Sequence, residues 1–331
     1  MKVCIIGSTG HYEYVLKDIK YDPETRIVGV CPGSTGEDVH LLYEIIKNDY
    51  PSLKIYDNYI EMLDELQPDI CVVCCYFGDH AKVAAEVLKR KINLFIEKPI
   101  ATDLEDLYML HELYSKSGVS LAAMFGIRYT PWFLTAWNAV KSGKVGEIRL
   151  MNAQKSYKLG KRGVHFKNRK TYGGTIPWVG SHAIDWLYWF GAKRFVSVYS
   201  SHSKFYNMGN GDLELTALCH FVMEDEVFGS VSMDYLRPNT AKSHDDDRIR
   251  VVGTEGIIEV RECEVYLMNN ETCGYVELDL CDGNKGIFWD FLKQVKNEGK
   301  CLISAEDSFY VTEASIKARI SADEKRVVYF D

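Results

Sequence analysis

Two charged residues and a proline stand at the end of a short apolar run. Ile92-Asn93-Leu94-Phe95-Ile96 is followed directly by Glu97-Lys98-Pro99. The run predicts a buried strand, and the proline ends it because proline cannot donate a ladder hydrogen bond. Ligands bind at the carboxyl edge of open α/β sheets. Glu97 and Lys98 therefore deliver a carboxylate and an ammonium group to the edge of the sheet where a polar ligand would bind.

A glycine-containing loop near the N-terminus has the context of a phosphate-binding turn. Gly7-Ser8-Thr9-Gly10 follows the strand Val3–Ile6 and precedes a helical segment. Glycines in such a loop let a pyrophosphate approach backbone N–H groups. The fingerprint is incomplete, because Thr9 and Tyr12 stand where the second and third glycines would fall. The pattern is compatible with nucleotide binding and with an ordinary strand-to-helix turn.

The end of the second strand leaves the choice between NAD and NADP open. NAD-binding folds usually place an acid there, which accepts hydrogen bonds from the ribose hydroxyls. Here the strand Arg26–Val30 is followed by Cys31-Pro32-Gly33-Ser34-Thr35, and the first acid is Glu37. No basic residue beside it favours a 2′-phosphate.

The rhythm of the chain predicts two domains. Strand and helix signals alternate up to about Met124, which indicates βαβ units and a doubly wound parallel sheet of the Rossmann type. Longer runs of alternating polar and apolar residues follow, as expected of a large, mainly antiparallel open sheet in an α+β domain. We expect a dinucleotide-binding domain over residues 1–124 and a substrate-binding and oligomerisation domain over residues 125–331.

Composition narrows the classes of partner. The net charge of −8 argues against a general nucleic-acid role, and no apolar run approaches the roughly 20 residues that span a bilayer. Because the sequence goes straight from Met1 into a strand, without the layout of a signal peptide, we expect a cytoplasmic protein. The ten cysteines show no zinc-ligand spacing, and Cys71, Cys74 and Cys75 lie in one apolar run. We therefore expect buried thiols and no metal site.

Several further motifs complete a pattern that extends over essentially the whole chain. They are Gln67-Pro68-Asp69-Ile70, His80, Glu97-Lys98-Pro99-Ile100-Ala101, Arg128 with Tyr129 and Pro131, Gly143-Lys144-Val145-Gly146-Glu147-Ile148, Gly173-Gly174, Gly180-Ser181-His182-Ala183-Ile184-Asp185, and Ala318-Arg319-Ile320-Ser321-Ala322-Asp323. With these motifs the chain resembles the Gfo/Idh/MocA oxidoreductase family.

The resemblance implies a site for hydride transfer between NAD or NADP and a sugar, polyol or related hydroxy compound. Lys98 would donate hydrogen bonds to the substrate oxygen, His182 would act as general acid and base, and Asp185 could orient the imidazole. A histidine suits proton transfer near neutral pH. The positions assigned to the cofactor are Gly7, Ser8, Thr9, Gly10, His11, Ser34, Tyr76, His80, Glu97 and Lys98.

One residue departs from the family pattern. Polyol-oxidising members commonly carry an aspartate four residues before the histidine, where this chain has Trp178. Tryptophan cannot accept a proton, so it would stack on an apolar sugar face or fill core space. The positions assigned to the substrate are Arg128, Arg162, Lys167, Trp178 and His182.

Two charged segments remain. The basic segment contains Lys155, Lys158, Lys161, Arg162, His165, Lys167, Arg169 and Lys170. It favours an anionic substrate if it lies at a substrate cleft, and otherwise it is a solvated loop. The acidic run Asp245-Asp246-Asp247 beside His244 predicts a solvated hairpin turn rather than a metal site.

The leading hypothesis is a nicotinamide-dependent dehydrogenase or reductase that acts on a carbohydrate-like small molecule. The alternative is a catalytically silent family member that binds nucleotide or sugar as a sensor or scaffold. Because a one-sided sheet needs a cover, we expect a homodimer or homotetramer formed through the second-domain sheet.

Overall fold

The computed structural model describes residues 1–283 and 285–330, so Asn284 and Asp331 of the expected second domain lie outside the described residues. Its strands are β1 Lys2–Ile6, β2 Arg26–Cys31, β3 Lys54–Ile55, β4 Ile70–Val73, β5 Asn93–Ile96, β6 Leu121–Ala123, β7 Ile148–Tyr157, β8 Phe195–Ser203, β9 Thr216–Met223, β10 Val227–Asp234, β11 Asp245–Gly253, β12 Gly256–Arg261, β13 Glu264–Asn269, β14 Val276–Glu277 and β15 Val328–Tyr329. Its helices are α1 Glu13–Asp18, α2 His40–Ile46, α3 Tyr59–Leu66, α4 His80–Lys89, α5 Leu104–Ser117, α6 Pro131–Lys141, α7 Arg169–Tyr172, α8 Ser181–Gly191, α9 Ile287–Val295 and α10 Ala305–Glu324, with a π-helical segment at Ile176–Gly180.

The first compact unit contains a six-stranded sheet and confirms the predicted doubly wound fold. The strand order is β3-β2-β1-β4-β5-β6, and every pairing is parallel. Strands β1 and β4 are apolar and largely buried along their lengths, as expected of strands covered on both faces. The order reverses between β1 and β4, so the loops that follow these two strands lie where such folds bind ligands.

This unit draws on a distant part of the chain. It comprises residues 1–126, 170–173 and 285–312. Helix α9 belongs to it because Phe288 and Phe291 pack on Phe95 of β5, with ring centroids 5.2 and 5.3 Å away. The expected first domain, residues 1–124, lies within this unit. The later segments contribute no strand to the parallel sheet, so the alternation of strands and helices in the sequence does not assign them to this unit.

The second compact unit contains a nine-stranded sheet and confirms the predicted α+β architecture. The order is β14-β13-β12-β11-β7-β10-β9-β8-β15, and the pairings are antiparallel except for β7 with β10. Strand β9 shows the predicted alternation, since Cys219 and Phe221 are buried whereas Leu218 and His220 are exposed. Helix α8, which is largely buried, contacts β7, β10 and β11.

None of the described helices is both long and apolar enough to cross a bilayer. The described residues also contain no cluster of three or more His, Cys, Asp or Glu side chains arranged to hold a metal ion.

Candidate active site

The loop between β1 and α1 is fastened to its neighbouring strands by backbone hydrogen bonds. Gly7 N donates to Cys31 O at 2.8 Å, and Thr9 N donates to Cys74 O at 2.7 Å. Gly7 has a φ of +91°, and a Cβ at this position would lie 2.3 Å from Cys75 N. Only glycine fits there, because both the conformation and the close approach exclude a side chain.

The Glu37 carboxylate joins this loop to the loop after β2. Its Oε1 accepts from Ser8 N at 3.0 Å and from the Thr9 hydroxyl at 2.7 Å. Its Oε2 accepts from Gly33 N at 3.0 Å and Ser34 N at 3.2 Å. Burial raises the pKa of Glu37, and these four donated bonds act in the opposite direction. Sequence reasoning did not assign Glu37 to the site, and the only signal was that it is the first acid after the strand.

The Glu97 carboxylate holds the other end of the phosphate loop. Its Oε2 accepts from both the backbone N and the ring Nδ1 of His11, each at 2.7 Å. Its Oε1 accepts from Lys98 N at 3.1 Å and lies 3.6 Å from Lys98 Nζ. Burial raises the pKa of Glu97, but the charges of His11 and Lys98 outweigh it and hold the pKa at about 2. The carboxylate is therefore ionised at neutral pH.

Gly10 is the residue that lets Glu97 reach the loop. A Cβ on Gly10 would lie 2.7 Å from both Cγ and Oε2 of Glu97, which is closer than real contacts allow. The second glycine of the sequence motif thus makes room for the buried carboxylate. Lys98 is only 2% exposed, and the Lys98-Pro99 bond is cis.

The loop retains donors for a dinucleotide. Four N–H groups of the loop, those of Gly7, Ser8, Thr9 and His11, are bonded within the protein, to Cys31, Glu37, Cys74 and Glu97 respectively. The N–H groups of Gly10 and Tyr12 have no hydrogen-bond partner within the described part of the chain. Backbone N–H groups on a glycine loop suit pyrophosphate oxygens, so this loop fits the pyrophosphate of a dinucleotide.

Three other predicted cofactor residues line the same edge of the sheet. Tyr76 N donates to Ser34 Oγ at 3.1 Å, which links the turns after β2 and β4. His80 is fully buried, with Nδ1 2.7 Å from Pro99 O and Nε2 3.1 Å from Cys75 O. Burial lowers the pKa of His80. His80 therefore braces the turn after Lys98. A direct contact with the cofactor stays a prediction for all three.

In the second unit, helix α8 carries His182 and Asp185, and both are buried. Trp178 lies in the π-helical segment directly before α8. Arg128 Nε lies 3.1 and 3.0 Å from the two carboxylate oxygens of Asp185, and its guanidinium stacks over Trp189. A buried charge needs a partner of opposite charge. The ion pair with Asp185 therefore explains why the charged group of Arg128 can be buried. The orientation of His182 by Asp185 stays a prediction.

Trp178 lies in an aromatic cluster that holds a guanidinium. The Cζ atom of Arg162 lies 4.9 Å from the ring centroid of Tyr235, 5.3 Å from that of Trp178 and 5.8 Å from that of Phe166. Arg162 Nη2 donates to Lys158 O at 3.0 Å. Stacking of this kind stabilises a guanidinium on the faces of aromatic rings. The residue four positions before His182 is thus a tryptophan whose indole ring stacks against the guanidinium of Arg162.

The remaining basic residues do not form one surface. Lys155 is buried against Asp247, and Arg169 pairs with Glu214 and Asp323. Lys167 is exposed. Of the predicted anion-binding pair, Arg162 stands on the aromatic cluster, whereas Lys167 makes no described contact with it.

The prediction of a hairpin turn at Asp245–Asp247 is wrong. These residues open β11, in register with Tyr157, Ser156 and Lys155 of β7. The strand position is explained by charge, because Asp247 lies opposite Lys155 and forms an ion pair with it. Sequence periodicity cannot show such a pair, since its members are far apart along the chain.

Comparison with known proteins agrees with this geometry. Residues 1–125 match the oxidoreductase family with an NAD-binding Rossmann fold, and residues 133–259 match the GFO/IDH/MocA C-terminal domain. A structure from Thermotoga maritima, described as that of an oxidoreductase, is 49% identical, covers 100% of both chains and has a TM-score of 0.96. The chain belongs to the Gfo/Idh/MocA oxidoreductase family, and its first domain is of the NAD-binding type.

The curated relatives are more distant. An uncharacterised oxidoreductase of Schizosaccharomyces pombe is 27% identical over 42% of this chain and 38% of its own length. The myo-inositol 2-dehydrogenase of Thermotoga maritima is 26% identical over 30% of this chain and 29% of its own. Each of these two matches therefore spans less than two-fifths of the relative's own length.

The charge of Glu97 gives a prediction for stability. Its pKa in the fold, about 2, lies below the ordinary 4.5, so the unfolded state binds more protons between these values. The contribution, about 3 kcal/mol, should be present above pH 4.5 and lost as the pH falls toward 2. Denaturant unfolding should show Glu97→Gln less stable than wild type at pH 7, with the difference shrinking on acidification.

The control is Glu112→Gln, which removes a carboxylate from an exposed pair with Lys116 and should change stability little at any pH. If Glu97→Gln lowers the free energy of unfolding by the same amount at pH 7 and at pH 2.5, the loss does not come from the charge of the carboxylate.

Proposed function

We propose that this chain is an NAD(P)-dependent oxidoreductase that transfers a hydride between nicotinamide and a hydroxyl or carbonyl carbon of a sugar or polyol. The observation that carries the proposal is the buried Lys98 beside ionised Glu97, at the sheet edge that also carries the glycine loop. Membership of an oxidoreductase family supports it. The similarity to a myo-inositol 2-dehydrogenase supports a polyol-like substrate.

The roles follow from residue chemistry. Lys98 carries three N–H donors and would polarise the substrate oxygen. His182 would take the hydroxyl proton during oxidation and return it during reduction. When bound, the nicotinamide accepts or supplies the hydride. Glu97 compensates the charge of Lys98, which makes burial of the ammonium group possible.

An anionic group on the substrate is a finer part of this proposal. It is supported by Arg162, whose guanidinium stands over Trp178, four residues before His182. A planar guanidinium binds carboxylate or phosphate through two parallel hydrogen bonds. The scattering of the other basic residues leaves Arg162 as the candidate for this contact.

The test is a turnover assay with NADH and NAD, using polyols, neutral sugars and sugar acids. Lys98→Met, which retains the apolar stem, should lower kcat by about 10²-fold or more because it removes the donor that polarises the substrate oxygen. The control is Lys116→Ala, an exposed lysine also paired with a glutamate. Arg162→Ala should raise the KM for acids and leave that for neutral sugars unchanged.

Two outcomes would count against this function. Failure of the wild type to bind either cofactor at micromolar concentration contradicts the dehydrogenase assignment. Cofactor binding without turnover of any compound would favour the silent sensor or scaffold.

We also propose a preference for NAD over NADP. The support is the Glu37 carboxylate, which lies between the phosphate loop and the loop after β2. The adenosine ribose binds beside the loop after the second strand in folds of this type. Both of its oxygens already accept hydrogen bonds from the two loops, so Glu37 acts on the cofactor through its charge, which repels a 2′-phosphate.

Fluorescence titration should therefore show NADH binding at least about tenfold more tightly than NADPH, which corresponds to about 1.4 kcal/mol. Glu37→Gln keeps the acceptor oxygen but removes the charge, so the ratio should fall toward one. Glu44→Gln, an exposed glutamate paired with Lys47, is the control and should keep the wild-type ratio. Tighter binding of NADPH by the wild type would contradict this preference.

We further propose that two or four copies associate through the outer face of the nine-stranded sheet. That face exposes large apolar side chains on neighbouring strands, which are Leu150, Leu218, Phe228 and Tyr199. A second copy would remove them from water. Sedimentation should give a mass of two or four chains, and Leu218→Glu should lower it. A monomeric wild type would refute the interface.

A cytoplasmic location is the last element of the proposal. All ten cysteines are free. Six of them are completely buried, namely Cys4, Cys31, Cys71, Cys74, Cys75 and Cys219. Unpaired thiols are typical of a reducing compartment.

A further inference from the structure

Glu214 is a fully buried carboxylate in the second unit. It lies in the connection between β8 and β9, and its side chain is 0% exposed. Burial of an ionised group is costly unless an opposite charge and hydrogen bonds compensate it. An apolar residue of similar volume is often at least as stable in such a place, so the carboxylate is explained by the groups that it holds.

One oxygen of Glu214 holds the basic segment. Its Oε1 accepts a hydrogen bond from Arg169 Nη2. The connection that carries Glu214 also binds the backbone of this segment, because Asp212 N donates to Lys167 O at 2.9 Å and Asp212 Oδ2 accepts from Arg169 N at 3.2 Å. Asp323 of α10 lies 3.1 Å from Arg169 Nη1. The basic segment is thus fixed at both Lys167 and Arg169.

The other oxygen of Glu214 holds the start of the π-helical segment. Its Oε2 accepts from Thr175 N at 3.0 Å, and the Thr175 hydroxyl donates to Glu214 O at 2.8 Å. Thr175 directly precedes Ile176–Gly180, which contains Trp178. Short π-helical turns are rare and occur frequently at functional sites. The first residue before this turn is therefore fixed by two bonds to one buried residue.

Glu214 consequently joins the two parts of the aromatic cluster. Arg162 and Phe166 lie in the basic segment, whereas Trp178 lies in the π-helical segment. The ring centroid of Phe166 lies 4.2 Å from that of Trp178, and Arg162 Cζ lies 5.3 Å from it. A π-helical turn contains more residues than an α-helical turn, so its relaxation to an α-helix would change the direction of Trp178 relative to His182.

We propose that Glu214 is a positioning residue for the substrate end of the site. By holding the basic segment and the start of the π-helical segment together, it sets the stack of Arg162 on Trp178, four residues before His182. The consequence for turnover rests on the proposed function, whereas the position of Trp178 does not. Loss of this support should move the indole and the guanidinium and leave the sheet in place.

The test measures the position of Trp178 and turnover separately. The chain labelled with 5-fluorotryptophan should give one ¹⁹F resonance for each of its six tryptophans, and the resonance absent from Trp178→Phe belongs to Trp178. Glu214→Gln keeps an acceptor for Thr175 N but removes the charge that binds Arg169. It should shift the Trp178 resonance selectively and lower kcat/KM by about tenfold, since small displacements of substrate-positioning groups slow turnover.

The control is Asp323→Asn, which removes the other carboxylate partner of Arg169 and leaves both bonds of Thr175 intact. It should leave the Trp178 resonance in place and kcat/KM within about twofold of wild type. A second variant, Thr175→Val, retains the shape of the side chain and removes the hydroxyl bond to Glu214. It should shift the same resonance, and it decides the question if Glu214→Gln does not fold.

The outcomes separate this proposal from the proposed function. A selective shift of Trp178 in a protein whose wild type turns over no compound would support the positioning role and refute the dehydrogenase. An unchanged Trp178 resonance in both Glu214→Gln and Thr175→Val would overturn the positioning role. An equal shift in Asp323→Asn, a shift of all six resonances, or a selective shift with unchanged kcat/KM in an active enzyme would overturn it as well.

Discussion

The buried carboxylate of Glu97 is the interaction on which the cofactor half of the site depends. It accepts from the backbone and the ring of His11, packs where Gly10 leaves room, and lies beside the Lys98 ammonium. A single ionised group therefore fixes the phosphate loop, compensates a buried lysine and requires a glycine. Burial of this charge is tolerated because the Lys98 ammonium lies beside it and His11 is hydrogen-bonded to it through both its backbone and its ring.

The second unit contains two further buried charges, and each has a partner of opposite charge. Asp185 of α8 forms one buried pair with Arg128, and Lys155 and Asp247 form another, whose ammonium group lies 5.5 Å from the ring centroid of Trp186 on the same helix. Both pairs therefore place charged groups at the helix that carries His182, in an otherwise apolar interior. Such pairs contribute little net stability compared with apolar packing. Such a pair instead fixes the orientation of its polar groups within an otherwise apolar interior.

The fold and the position of Lys98 could be predicted from the sequence, but the contacts between residues on different segments could not. Buried parallel strands such as Ile70–Val73 are uninterrupted apolar runs, and a strand that ends in charges and proline is visible without a structure. The four bonds of Glu37 and the contact of Gly10 with Glu97 join residues separated by long stretches of chain. Periodicity reports which face a residue occupies, whereas these contacts depend on which strands become neighbours. The basic segment shows the same limit, because Lys155 and Arg169 pair with carboxylates that lie far away along the chain.

Direct titration of Glu97 tests the central claim most closely. The carboxyl carbon resonance, assigned by its absence in the Glu97→Gln spectrum, would be followed by ¹³C NMR from pH 8 downward. A carboxylate held at a pKa of about 2 by His11 and Lys98 keeps its ionised chemical shift throughout the range in which ordinary glutamates, near 4.5, become protonated. A midpoint at 4.5 or above would show that His11 and Lys98 do not lower the pKa of this group, and would contradict the account of the loop and of Lys98.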